Sequence, residues 1–158
     1  MKGSPQVIEA LNAVLTVQLT AINQTFLAAK VHEHRGFTKL GRAAYKHSIQ
    51  VMKHAEPVIA RVLFLDGLPN LQRMGKIAAA EDSTSQIAAD CTLQSDLCAR
   101  LEALAHVALE ANDHASAELA ESLLVSAQQT LLAIETQLRE LQTLGENIFL
   151  SQQLHDAG

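Results

Sequence analysis

Four polar side chains sit where a packed helical bundle wants apolar ones. Read at helical spacing, a first segment carries the stripe Ile8, Leu11, Leu15, Gln18, Ile22, Thr25 and Ala29. A second carries Leu40, Ala44, His47, Val51, His54, Val58, Val62 and Leu65. A third carries Ile87, Cys91, Gln94, Cys98, Leu101 and Ala105, and a fourth Leu123, Ala127, Thr130, Ile134 and Leu138. Gln18, His54, Gln94 and Thr130 therefore interrupt all four stripes at similar heights. One reading is a neutral cluster in which amides, imidazole and hydroxyl satisfy one another. The other is a metal site. A di-iron site inside a helical bundle takes a Glu from each of two helices and a Glu-x-x-His from each of the other two. The carboxylates are needed because hard iron ions take charged oxygen ligands. This chain has no Glu-x-x-His, and its second segment reads Val51-Met52-Lys53-His54. One His and two amides do not hold two iron ions, so the neutral cluster is favoured.

The remaining reactive side chains point to little else. His32 and His34 flank Glu33 at a helix end, and His47 lies on the core stripe. His106 and His114 each follow a Glu (Glu102, Glu110) by four residues, a spacing that holds a surface cation at most. None of these is assigned as a ligand. Glu9, Glu33, Glu110 and Glu118, off the stripes, read as solvated faces or interface charges. Cys91 and Cys98, seven residues apart, would stand about 10 Å apart along a helix axis, too far for a disulfide. They read as reduced thiols packed as small apolar groups.

The elements that must position these residues are set by few breaks. The 158 residues contain three Pro and seven Gly. Pro5 suits a first helical turn, and the pattern from about 5 to 34 breaks at Arg35-Gly36. A second helix is expected over about 38–65, with Thr38 as its N-cap and a bend at Pro57, which removes a bond to the Lys53 carbonyl. Asp66-Gly67-Leu68-Pro69-Asn70 stops it. Further helices are expected over about 82–111, 114–144 and 147–154, with Gly145 closing the fourth. Short links make helices one and two, and three and four, antiparallel hairpins. The stretch of some 15 residues between the second and third can extend about 50 Å, enough to run a bundle's full length. The expectation is a single all-α domain over 1–158, a ferritin-like four-helix bundle with a long crossover between helices 2 and 3 and a short C-terminal fifth helix.

Composition agrees. Apolar residues make up 48%, and aromatics 3%. Ala and Leu dominate, which favours helix over strand. With 12 Lys and Arg against 17 Asp and Glu, net charge is −5, and no basic stripe invites nucleic acid. No run approaches the ~20 apolar residues of a membrane span, and no secretory h-region follows Met1. A cytoplasmic protein is expected.

Over essentially its whole length the chain resembles bacterioferritin. The resemblance rests on Met1-Lys2-Gly3, Ala21-Ile22-Asn23-Gln24, Met52-Lys53-His54-Ala55, Ile134-Glu135-Thr136-Gln137-Leu138 and, most specifically, Leu63-Phe64-Leu65-Asp66-Gly67-Leu68-Pro69-Asn70-Leu71-Gln72. It implies a hollow shell of twenty-four subunits storing ferric mineral, haem b bound between paired subunits (one per two), and an intrasubunit di-iron ferroxidase centre. Position by position, that centre is degenerate. The family's glutamates fall at Gln18, Val51, Gln94 and Ala127, its histidines at His54 and Thr130, and its neighbouring tyrosine at Thr25. Only His54 matches. The resemblance thus implies no catalytic residue in this chain and no metal held in the bundle.

The haem residues match instead. The resemblance makes Met52 the axial ligand, with Leu19, Ile22, Asn23, Phe26, Tyr45, Ile49, Lys53, Ala55 and Leu71 around the cofactor. Met52, Ile49, Tyr45 and Ile59 form a second apolar stripe that the bundle interior does not need, so it is expected to face a twofold-related partner. A soft thioether pair favours reduced iron and leaves no open position, which implies electron transfer. Leu68, Pro69, Asn70, Leu71 and Glu81 match the surface where the family's [2Fe-2S] ferredoxin docks and passes electrons that release stored iron. The expected function is a haem-binding, ferroxidase-deficient subunit that co-assembles with an active one. Two alternatives stand beside it: iron oxidation at another carboxylate site, and a haem-binding scaffold without storage.

Overall fold

The computed structural model describes residues 1–154; the last four residues of the expected 1–158 domain lie outside the described residues. Five helices follow one another: α1 Pro5–His34, α2 Thr38–Phe64, α3 Ser83–Glu110, α4 His114–Leu144 and α5 Glu146–Ser151. Their ends follow local chemistry. Gly36, at φ +91°, turns the chain out of α1. Asp82 caps α3, its Oδ1 accepting from the Ser85 amide at 2.7 Å. Asp113 caps α4, accepting from the amide (3.0 Å) and hydroxyl (2.7 Å) of Ser116, and also from Arg61 Nη2 at 2.7 Å. That second cap ties α4 back to the end of α2. Burial works to raise the Asp113 pKa, but these donors and the guanidinium charge outweigh it and hold the carboxyl below its ordinary range.

Two ends differ from the sequence expectation. Thr38 is the first residue of α2 and Phe37 its cap, because the loop backbone at Phe37 is already turned (φ −89°, ψ 70°). Residues 152–154 are turn and bend, so α5 is shorter than expected. It is anchored by Phe149, fully buried against Leu40, Ile87 and Ile134 at the bundle end. α2 continues through Pro57; Pro57 and Lys53 are both exposed, so the Lys53 carbonyl that loses its amide partner stands on the solvent side.

α1 packs on α2 and α3 on α4, each pair joined by a three-residue link, and the hairpins meet α1 to α3 and α2 to α4. The main core joins Val7, Leu11, Leu15, Val58, Val62, Leu101, Leu104 and Ala120. α1 and α2 approach closely at Gly41, where a Cβ would stand 2.9 Å from the Ala29 carbonyl oxygen. The segment between α2 and α3 climbs along α1. Asn12 holds the Leu68 carbonyl (3.2 Å) and the Asn70 amide (2.9 Å), Thr20 Oγ1 accepts from the Gly75 amide (2.7 Å), and Gln24 Oε1 accepts from the Ala78 amide (3.0 Å). Arg35 then donates to the Glu81 carbonyl. From Asn12 to Arg35 is roughly 35 Å of helix at 1.5 Å per residue. The crossover thus traverses the bundle, and α3 starts at the end where α2 started.

Candidate functional site

The four interrupted stripes converge. Gln18, Val51, His54, Gln94, Ala127 and Thr130 all line one small cavity at mid-bundle, together with His47. It measures about 10 Å³, room for one water. His47 Nε2–H donates to Gln94 Oε1 at 3.2 Å, and Gln94 Nε2 donates to the Ala127 carbonyl at 2.9 Å. The polar groups are therefore only partly satisfied by each other. Gln18, 1% exposed, keeps a wholly buried Oε1 without a partner among the described residues. Thr25, also fully buried, turns its hydroxyl back onto the Ala21 carbonyl at 2.6 Å and adds nothing to the cavity. Burial lowers the pKa of His47 first; its bond to Gln94 opposes that, and His54 reinforces it. Burial alone lowers His54. The lining contains imidazoles, amides and the hydroxyls of Ser126 and Thr130, but no carboxylate.

A second constellation lies on the outer face of α1 and α2. Ser48 Oγ donates to the Ile22 carbonyl at 2.9 Å, which fixes the register of the two helices. That register sets Phe26 beside Tyr45, ring centroids 6.3 Å apart. Lys30 Nζ stands over both rings, at 5.7 and 5.6 Å. Met52 is 47% exposed, and Phe26, Tyr45 and Leu71 are exposed to a similar degree. Ile22, Leu19 and Ile49 are partly buried beneath them, and Lys53 and Asn23 are exposed. Asn23 Nδ2 donates to the Leu19 carbonyl (2.9 Å) and to Met74 Sδ (3.0 Å). Ala55 departs from this group: at 4% exposed it belongs to the bundle core. It stands four residues after Val51 and three before Val58, both buried, and so lines up with the core stripe of α2.

The crossover presents Leu68, 83% exposed and the most exposed large apolar side chain described. Asn70 stiffens the turn beside it, its Oδ1 accepting from the amides of Gln72 and Arg73 at 3.1 Å each. Pro69 is half-buried, and Glu81 is exposed at the far end of the crossover, so it does not share a patch with Leu68.

Sequence reasoning missed a third group. Asp90, His32, Gln24 and Gln86 are buried, although the stripes read as free of carboxylates. Asp90 accepts from Gln24 (2.7 Å) and Gln86 (3.1 Å), both on the same oxygen. Burial raises its pKa, and the two amide bonds oppose that. Gln86 and Asp90 do sit four residues apart beside the stripe at Ile87 and Cys91. That spacing marks one face, but not that the face is buried by the crossover.

Two antiparallel helix hairpins, a full-length crossover and a mid-bundle cavity lined from all four helices define a ferritin-like four-helix bundle. The ferritin-like domain model accordingly matches residues 8–144. The chain is 40% identical over 151 residues to a bacterioferritin of Streptomyces coelicolor, which covers 96% of this chain and 90% of that protein. It is 38% identical over 152 residues to one of Mycobacterium leprae (96% of each), and 32% over 146 to one of Brucella melitensis (92% and 91%). The chain belongs to the bacterioferritins, a family of iron-storage proteins. No described helix is long and apolar enough to cross a membrane.

Proposed function

We propose that this chain is an iron-storage shell subunit that holds haem through Met52 and does not oxidise iron at its bundle centre. The observation that carries the reading is the donor set of the mid-bundle cavity. All six positions equivalent to the family's di-iron ligands gather there, and they offer one imidazole, two amides and a hydroxyl beside two apolar side chains. Two iron ions would bring about four positive charges into that site with no anionic oxygen to offset them, a donor set that does not fit them. No ferroxidase step is therefore assigned to this subunit. The shell would oxidise iron through a homologous, carboxylate-bearing subunit built into the same assembly.

The exposed face of α1 and α2 supports the haem reading. Met52 offers a soft thioether in an apolar surround of Ile49, Tyr45, Phe26, Leu19 and Ile22, a surface that a lone subunit leaves in water. A second copy of the same face closes it by twofold symmetry, bringing a second Met52. Haem bound there supplies one-electron chemistry. Lys30 and Lys53, both exposed, would supply positive charge for the carboxylates that such a group carries. Leu68, with Pro69 and Asn70, is the apolar anchor for a small iron–sulfur ferredoxin. Glu81, at the opposite end of the crossover, would meet such a partner only across a wide footprint.

Three measurements test the reading. The chain assembled alone and given Fe(II) in air is expected to lack a fast phase of about two Fe per subunit; such a phase would overturn the proposal. Met52→Ala is expected to lose haem absorption while the assembly keeps its size. Mass spectrometry of shells from the native source should show a second chain containing Glu-x-x-His.

A further inference from the structure

The solvent side of α2 carries charge that the whole-chain balance conceals. The chain is net −5, yet α2 holds Lys39, Arg42, Lys46, Lys53 and Arg61 against the single acid Glu56. An open groove of about 830 Å³ runs along this side. Tyr45, Lys46, Gln50, Lys53 and His54 line it, and no carboxylate does. Lys46, Gln50, Lys53 and His54 stand at i, i+4, i+7 and i+8, the spacing of one helix face. None of the five side chains makes a hydrogen bond or ion pair among the described residues, although Glu56 stands three residues after Lys53. Three other cations of the chain are matched: Lys30 with Glu33, Arg61 with Asp113 and Arg100 with Asp96.

That set of groups is matched to an oxyanion. The two ammonium groups bring charge and several N–H donors, and the Tyr45 hydroxyl, the Gln50 amide and the His54 imidazole each add a donor. A carboxylate offers only two oxygens to such a ring of donors. A phosphate offers more acceptor oxygens and about two negative charges at neutral pH, so groups on several sides can share it. Lysine binds phosphate as a point charge on a flexible stem. Lys46 and Lys53 are two turns apart, roughly 10 Å along the helix axis, and their stems can close on one anion. Two turns of helix are too short a stripe to follow a nucleic-acid backbone, so the groove does not reverse what the acidic balance of the chain excludes.

We propose that this groove binds one phosphate-type oxyanion per subunit, held between Lys46 and Lys53, with Tyr45, Gln50 and His54 as supporting donors. The site goes beyond the haem and iron readings. Tyr45 and Lys53 are shared with the face assigned to haem, and His54 with the mid-bundle cavity, but Lys46 belongs to neither. Lys46 is therefore the residue on which the proposal turns.

The test uses the assembled, mineral-free full-length protein and radiolabelled inorganic phosphate as the probe, in equilibrium dialysis at low ionic strength, where surface charge is least screened. Wild type is expected to take up one phosphate per subunit in a saturable step. Lys46→Gln should weaken that step about tenfold, the effect of losing one charge-assisted hydrogen bond, and Lys46→Gln combined with Lys53→Gln should abolish it. Both positions are exposed, and assembly size and helical circular dichroism confirm that the variants fold. Arg100→Gln removes the same charge from α3 and should bind like wild type. Phosphate uptake is read directly, so the outcome does not depend on whether Met52 holds haem. Equal binding by wild type and the double variant would overturn the proposal. So would an equal loss in Arg100→Gln, which would assign the uptake to the charge of the whole surface.

Discussion

Replacing Gln18 by Met should make the protein more stable, although it removes a polar group from a family ligand position. Gln18 is 1% exposed, and its Oε1 is buried without a partner among the described residues. An acceptor in that state costs about 1–3 kcal/mol relative to an apolar group of the same shape. Met has nearly the length of Gln, and a near-isosteric swap into a packed site costs under ~1.5 kcal/mol. The cavity beside it, about 10 Å³, gives the thioether a little room. The net expectation is a gain of about 1–2 kcal/mol. For a chain of this size that is roughly 2–8 °C in thermal midpoint. Calorimetry should be run on metal-free protein at one fixed protein concentration, because assembly makes the midpoint concentration-dependent. A midpoint lowered by several degrees would refute the reasoning. It would mean that a buried water, which the cavity has room for, already satisfies the amide.

Two other perturbations follow from the same coordinates. Gly41→Ala sets a methyl 2.9 Å from the Ala29 carbonyl oxygen, backbone that cannot swing aside, so α1 and α2 must part; urea unfolding should show a loss of about 1–3 kcal/mol. His32 has its pKa lowered to about 4 by burial and then by the Arg35 charge. Between about pH 6.5 and 4 the unfolded chain therefore binds more protons at this residue, and wild type loses stability as pH falls through that window, by roughly 3 kcal/mol when complete. His32→Gln should flatten the window in urea titrations at pH 7 and pH 4; parallel losses in both proteins would contradict the assignment.

Much of the bundle was legible because its punctuation is sparse and local. Pro5, Gly36, the Asp66–Asn70 stretch, the acids before α3 and Gly145 each act on their own few residues, and helix ends fell within a residue or two of them, α5 excepted. The four polar interruptions were legible too. Helical periodicity alone puts Gln18, His54, Gln94 and Thr130 on inward faces, and the cavity joins them as expected. What the stripes did not reveal is a buried carboxylate beside them, Asp90. Asp90 looks like an ordinary helix-surface acid until the crossover, Gln24 and Gln86 are folded over it.

The sequence by itself determined the helices, the lengths of their links and which residue types stand on the core stripes. Those are local matters of backbone freedom and spacing, carried by neighbours along the chain. Only the tertiary structure decided which polar groups share a cavity and which of their atoms remain unpaired. Asn12, Thr20 and Gln24 hold a crossover more than fifty residues away, and that distant strap turns Asp90 from a solvated charge into a buried one. Ala55 shows the same limit from the other side: the resemblance groups it with the residues around Met52, and in the fold it is 4% exposed, within the core. Hydrogen-bond satisfaction and desolvation depend on what comes near in space, and periodicity carries no record of that.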